Sequence, residues 1–353
     1  MLFRSANLRA FEDELEEVSW FARTLRPPTQ YARLRVLGDA GSKAFVGRDD
    51  WWFFHQDVRY LVEPLGATRG GVPTKREVVS ATVSFRDQLA ARGIRLLVVP
   101  APGKPSVYPE MLTQRAGRDV QAARAGDSSL AVPAVSSHTL AVMAELTANN
   151  VEVVDLFAVF ARARASEWPS ESWRYYLPRD THWTAEGAQL AAAAVADRVR
   201  ELGWAPSATR HYETRSVLVH RPGDVVKMLR VPRIEQLYEP TAILCEQVFD
   251  PATGEPYKDD PAASILVLGD SFLRIYEREE QAEPDSAGFI AHLARNLSQP
   301  VASIVNDGGA STLVRQELAR EPDLLAGKSL VIWEFVERDI RFGLGGWEDI
   351  KMP

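Results

Sequence analysis

Five short apolar runs, at residues 94–100, 151–155, 264–268, 301–305 and 329–333, are rich in Val, Ile and Leu. Apolar residues fill both odd and even positions, and a strand of that kind has to be buried on both faces. Helix-patterned stretches at 74–92, 137–149 and 185–202 stand among the runs, the last rich in alanine and ending at Gly203. Strands that alternate with helices imply an α/β fold: a mainly parallel central sheet flanked by helices. Two regions fall outside this rhythm. Residues 8–25 carry apolar side chains at helical spacing before Pro27-Pro28 stops the pattern, so 1–40 reads as an N-terminal helical segment. Residues 205–260 fit the alternation poorly and read as an insertion or a small added β-region within a 41–353 catalytic domain. Between them, the aromatic stretch at 44–54 has Gly47, Asp49 and Asp50 at its centre, which predicts two strands around a polar turn. The acidic stretch at 277–285 reads as an exposed loop.

A formal net charge of -7 with scattered Lys and Arg argues against a nucleic-acid partner and against a polybasic membrane anchor. Cys245 is alone, so no internal disulfide can form; its apolar neighbours predict a buried structural thiol. No Cys/His cluster has zinc spacing, and neither a metal nor a cofactor is expected. No apolar run approaches the ~20 residues that span a bilayer. Charges at Arg4 and Arg9 interrupt what would be the core of a signal peptide.

Two motifs carry the chemistry: Asp180-Thr181-His182-Trp183 and Gly269-Asp270-Ser271-Phe272. Ser271 follows the apolar run 264–268 directly, which places its hydroxyl at the carboxyl edge of the sheet, where open parallel sheets gather their functional groups. A serine hydroxyl is a weak nucleophile until a base takes its proton. His182 is the candidate base. Asp180 stands two residues earlier, on the same face of an extended segment, where it can hold one ring nitrogen and turn the other toward serine. Thr184 is placed to cap the helix that follows. The remaining histidines (His55, His138, His211, His220, His292) lack such companions and read as structural or surface residues. Gly308 and Gly309, after the run 301–305, are candidate oxyanion donors together with the Ser271 backbone N–H. Lys104, Tyr108 and Trp183 are candidate substrate contacts; the Gly-Lys-x-Ser stretch around Lys104 lacks the first glycine of a phosphate loop.

These residues resemble the Ser-Gly-Asn-His (SGNH) hydrolase superfamily, and within it the alginate O-acetyltransferase (AlgX/AlgJ-like) type. The resemblance rests on Asp180-Thr181-His182-Trp183-Thr184 with Gly187 and on Leu268-Gly269-Asp270-Ser271-Phe272. Supporting stretches are Pro102-Gly103-Lys104, Tyr108-Pro109-Glu110, Pro222-Gly223-Asp224, and Trp333-Glu334-Phe335 with Arg338-Asp339. The histidine block precedes the serine block, the reverse of ordinary superfamily members and the order of the acetyltransferase branch. One departure stands out: the stretch Val336-Glu337-Arg338-Asp339 occupies the place of the usual oxyanion asparagine and contains none. The resemblance implies an acetyl-Ser271 intermediate, transfer to exopolysaccharide hydroxyls, a periplasmic or envelope location, and acetyl groups supplied by a membrane-bound O-acyltransferase. An upstream export or anchoring segment would then be missing from this chain. A carbohydrate acetylesterase with the same triad, or a non-catalytic polysaccharide-binding or assembly subunit on the same fold, are the competing expectations.

Overall fold

In the computed structural model, which describes residues 20–63, 75–116, 118, 135–166, 174–277 and 285–352, all five apolar runs are strands of one sheet. Helix α1 (Trp20–Leu37) leads to a hairpin of β1 (Ala44–Val46) and β2 (Trp52–Phe54), with Asp49 and Asp50 at positive φ in its turn. Then follow α2 (His55–Val62), α3 (Lys75–Ala90), β3 (Arg95–Ala101), α4 (Ser137–Ala148), β4 (Glu152–Val153), α5 (Leu156–Ser166) and α6 (Ala185–Glu201). The second half contains β5 (Glu213–Arg221), β6 (Thr241–Phe249), β7 (Ile265–Gly269), α7 (Phe289–Leu297), β8 (Ala302–Val305), α8 (Leu313–Arg320) and β9 (Leu330–Val336).

The central sheet runs β4-β3-β9-β7-β8, and every pairing in it is parallel. Successive side chains of a strand point to opposite faces, and the burial follows that rule. Leu97 and Val99 of β3, Val267 of β7 and Ile332 of β9 pack with α6 and α7. Leu96, Val98, Leu266, Leu268 and Trp333 pack with α3, α4 and α8 on the other face. Alanines 188, 191 and 192 of α6 are fully buried, a small-residue surface that α7 can approach closely. The last strand, β9, is inserted between β3 and β7, so the chain's carboxyl-edge loops converge beside it. Ligand crevices form at such switch points.

The region 205–260 contains a two-stranded antiparallel unit, β5 with β6, in register Val217↔Cys245. Val219, Ile243 and Cys245 face the core, whereas Leu218 and Leu244 face solvent. Helix α1 differs from the expected stop, because Pro27 and Pro28 lie inside it. The helix is largely exposed, and water can take the carbonyls that the two missing N–H groups leave unpaired. The expected helix at 8–25 and the acidic loop at 277–285 lie mostly outside the described residues. Among the described residues no helix is long and apolar enough to cross a membrane.

Leu266→Ala, in the fully buried centre of β7, is expected to lower unfolding free energy by about 2–5 kcal/mol. Leu218→Ala, on the exposed face of β5, should change it by less than about 0.5 kcal/mol. Urea denaturation of both variants measures the contrast.

Candidate active site

Strand β7 ends in a turn whose shape is set by crowding. A Cβ on Gly269 would lie 2.3 Å from Leu273 Cδ1 and 2.5 Å from Glu334 Oε2, so any larger residue would force these buried side chains to move. Asp270 then caps the short helix Ser271–Arg274, its Oδ1 accepting from Phe272 N–H at 2.9 Å. Its Oδ2 accepts from Val336 N–H at 3.3 Å, which ties the serine turn to the end of β9. Ser271, the first residue of that helix, is left facing a cavity of about 290 Å³.

The histidine arrives from a loop held down by hydrogen bonds. Lys104 is fully buried, and its Nζ donates to the carbonyls of Leu177, Pro178 and Asp180 at 3.0, 3.0 and 2.6 Å. Thr184 Oγ1 caps α6 by accepting from Gly187 N–H at 3.1 Å. Between these anchors, His182 Nδ1 lies 2.7 Å from Asp180 Oδ1 and Nε2 lies 2.8 Å from Ser271 Oγ. Asp224 Oδ2 is also 3.5 Å from Nδ1, so two carboxylates face that nitrogen and favour the tautomer with its proton there. Nε2 is then free to accept the serine proton.

Asp180 is buried, and hydrogen bonds take the place of water around it. Its Oδ1 also accepts from the backbone N–H of His182 at 3.1 Å, and its Oδ2 from Arg221 Nη2 and Asp224 N–H, both at 3.2 Å. Burial alone would push its carboxyl up; the Arg221 charge and the His182 hydrogen bonds outweigh this and hold it below the usual carboxylate range. For His182, burial disfavours the cation, but the hydrogen bond and charge of Asp180, joined by Asp224, bring it above the ordinary histidine value. Asp224 is pushed up to about 6 by burial and by the nearby Asp180 charge. Donor atoms of Asp180, His182 and Asp224 lie within 4.8 Å of one another, close enough to consider a metal. The Asp180 oxygens are engaged by the His182 ring and Arg221, and that arrangement suits proton transfer on an imidazole.

Ser271, His182, Gly308 and Gly309 all line the cavity, together with Phe54, Asp224, Arg338 and Asp339. The glycines fit the oxyanion role poorly. Gly308 N–H donates to Asn306 Oδ1 and Gly309 N–H to Asn306 O, both at 3.0 Å, so the turn consumes both donors. Of the candidate substrate contacts, Lys104, Tyr108 and Trp183 are buried and stand outside the cavity lining. Lys104 is spent on three carbonyls, and burial brings its ammonium down to about 8. Tyr108 is 2% exposed and its hydroxyl accepts from Tyr175 N–H at 3.1 Å. Trp183 is fully buried, packed edge-on to Phe272 at 5.0 Å. Tertiary packing uses all three as supports. Arg221 was missed; nothing local to it in sequence marks a partner 41 residues away.

A family described as "SGNH hydrolase-like domain, acetyltransferase AlgX" matches residues 44–337. The chain is 22% identical over 312 residues to a probable alginate O-acetylase AlgJ of Azotobacter vinelandii, covering 86% of this chain and 71% of that one. It is 25% identical over 312 residues to the protein so named in Pseudomonas putida, covering 86% and 72%. In fold it is similar to the O-acetyltransferase domain of Pseudomonas putida AlgJ, with a TM-score of 0.62 at 20% identity over 86% of this chain and 95% of that one. Pseudomonas aeruginosa AlgX follows with a TM-score of 0.56 at 20% identity, covering 83% and 62%. With the sheet, the permuted motif order and a family match over most of its length, the chain belongs to the AlgX-type SGNH hydrolase-like acetyltransferase family.

Proposed function

We propose that this protein is a polysaccharide O-acetyltransferase that carries the acetyl group on Ser271. The observation that carries the reading is the continuous hydrogen-bond chain Asp180–His182–Ser271, 2.7 and 2.8 Å long at its two links, opening into a cavity. His182 Nε2 takes the Oγ proton as Oγ bonds to the acetyl carbon, and the carbonyl π pair moves onto oxygen. Collapse of that intermediate expels the donor's alkoxy oxygen, which leaves with the proton from His182. In the second half, His182 takes the proton of an acceptor hydroxyl as its oxygen attacks acetyl-Ser271, then returns it to the serine. Asp180 stays ionised throughout and stabilises the transient imidazolium. Curated relatives bear the name alginate O-acetylase, which supports a polysaccharide acceptor. Acetyl groups would reach the enzyme from a membrane-bound O-acyltransferase, and the reaction would take place in the periplasm or cell envelope.

Ser271→Ala is expected to lower the rate of acetyl transfer from an acetyl-ester donor to oligosaccharides by about a thousandfold or more, with the melting temperature preserved. Mass spectrometry of the acceptor sugars reads the result. Free acetate without acetylated sugar would identify an esterase, and an unaffected Ser271→Ala variant would leave a binding or assembly role.

The reaction needs neutral His182, and its pKa is raised, so kcat/KM for acetyl-ester cleavage should fall with decreasing pH through a pKa above the ordinary value of about 6.5. Asp224→Asn removes a carboxylate that favours the imidazolium. The inflection should therefore move to lower pH, and a stopped-flow pH profile of the two enzymes measures the shift.

A further inference from the structure

The oxyanion of the proposed acyl transfer has no evident receiver in the Gly308-Gly309 turn, since both N–H groups donate to Asn306. Other cations near the site are also committed. Lys104 holds three carbonyls, Arg221 holds Asp180, and Arg274 holds Asp307 and the carbonyl of Val305. Of the described residues that line the cavity with Ser271, only Arg338 is a Lys or Arg.

We propose that the Arg338 guanidinium receives the oxyanion formed when Ser271 attacks the acetyl ester, an inference that rests on the acyl-transfer reading above. Strands β7 and β9 are paired in parallel with Leu268 opposite Trp333, so Ser271 and Arg338 both leave the sheet at the same carboxyl edge. Nη1 of Arg338 donates to Asp57 at 2.9 Å; among the described residues the guanidinium makes no other hydrogen bond. Asp57 is itself buried on α2, so one end of the fork is anchored and the other donors have no protein acceptor. The guanidinium carbon lies 5.2 Å from the Phe54 ring and 5.8 Å from the Phe272 ring. Phe272 follows the nucleophile, and its ring also meets that of His182 at 5.1 Å. The side chain is 12% exposed, so the charge is largely removed from water and aimed by its surroundings before substrate enters. Burial works against that charge, but Asp57, Asp339 and Asp270 together keep the group firmly protonated. A fixed, desolvated donor at the point where negative charge develops is what oxyanion stabilisation requires.

In the step itself, the Ser271 Oγ–carbon bond forms, the proton passes to His182 Nε2, and the carbonyl π pair becomes an oxygen lone pair. Arg338 N–H groups donate to that oxygen and keep their protons. When the C=O bond re-forms, the alkoxy group departs with the His182 proton and Arg338 is unchanged. A bidentate guanidinium also explains how the stretch after β9 serves without an asparagine.

The test uses the full chain with p-nitrophenyl acetate and, in parallel, the transfer assay with oligosaccharide acceptors. Arg338→Gln is expected to lower kcat for ester cleavage by about 10²–10³-fold with KM within about twofold, and Arg338→Lys to recover part of the loss. Removing Arg338 alone leaves Asp57 buried without its cation. The double variant Asp57→Asn/Arg338→Gln removes both charges, and it should fold with a cooperative melt while remaining as slow as Arg338→Gln. A folded double variant with near-parental kcat on the acetyl ester overturns the inference, as does a defect confined to acceptor KM in the transfer assay. Ser271→Ala separates the two readings: inactive Ser271→Ala beside active Arg338→Gln removes only the role of Arg338, whereas active Ser271→Ala removes the acyl-serine reading and this one with it.

Discussion

Both oxygens of the Asp180 carboxylate are occupied in the free protein. Oδ1 accepts from the ring and the backbone of His182, and Oδ2 from Arg221 and the backbone of Asp224. A carboxylate this deeply buried is tolerable only with such a set of donors, because desolvation without them would protonate or expel it. The same donors fix its direction. With Oδ1 pinned against Nδ1, the imidazole plane cannot rotate away from Ser271 without breaking two hydrogen bonds. Orientation of the base is therefore a property of the folded chain before substrate enters.

Beneath that pair lies a second buried ionic group. Lys104 leaves β3 at its carboxyl end and donates to three carbonyls of the loop that carries Asp180. Trp51 and Phe53 of the N-terminal hairpin region face its ammonium at 5.6 and 5.1 Å. Few side chains can collect three carbonyls from one side, and an ammonium has three donors to give. The loop is thereby fastened to the sheet by a charge that never meets solvent. Lysine just after a strand invites a reading as substrate ligand; here its reach is turned inward, to the loop that carries Asp180.

The fold was legible because burial on both faces leaves a plain mark in sequence. Runs such as Ile265-Leu266-Val267-Leu268, short and set between helix-patterned stretches, suit a strand covered on both faces, and all four residues are buried. Ser271, His182 and Asp180 were legible for a related reason: each sits within a few residues of an element boundary, where local spacing fixes side-chain direction. What failed to show was everything contributed from a distance. Arg221 and Asp57 reach their partners across 41 and 281 residues, and no spacing rule anticipates such contacts. Buried polar side chains were misread in the opposite sense, since Lys104 and Tyr108 have surface-like chemistry and core-like positions. Composition reports what a residue prefers on average, and an active site is where those preferences are overruled by specific partners.

The added β-region is a case in point. By sequence it reads as an interruption of the α/β rhythm, and Leu218 and Leu244 of its strands face solvent. Yet strand β5 ends at Arg221, and the chain turns at once through Gly223, whose φ of 84° and whose close approach to Arg179 O (2.5 Å from a Cβ placed there) exclude other residues. That turn presents Asp224, whose N–H completes Asp180 and whose carboxylate accepts from Thr181 N–H at 2.6 Å and faces His182. Two of the groups that donate to Asp180, the Arg221 guanidinium and the Asp224 N–H, thus come from this region. Parallel strands supply Ser271, but without this region Asp180 would lose Arg221 and the Asp224 N–H as partners, and His182 would lose the second carboxylate at Nδ1. The added β-region supplies much of the electrostatic surroundings of Asp180 and His182.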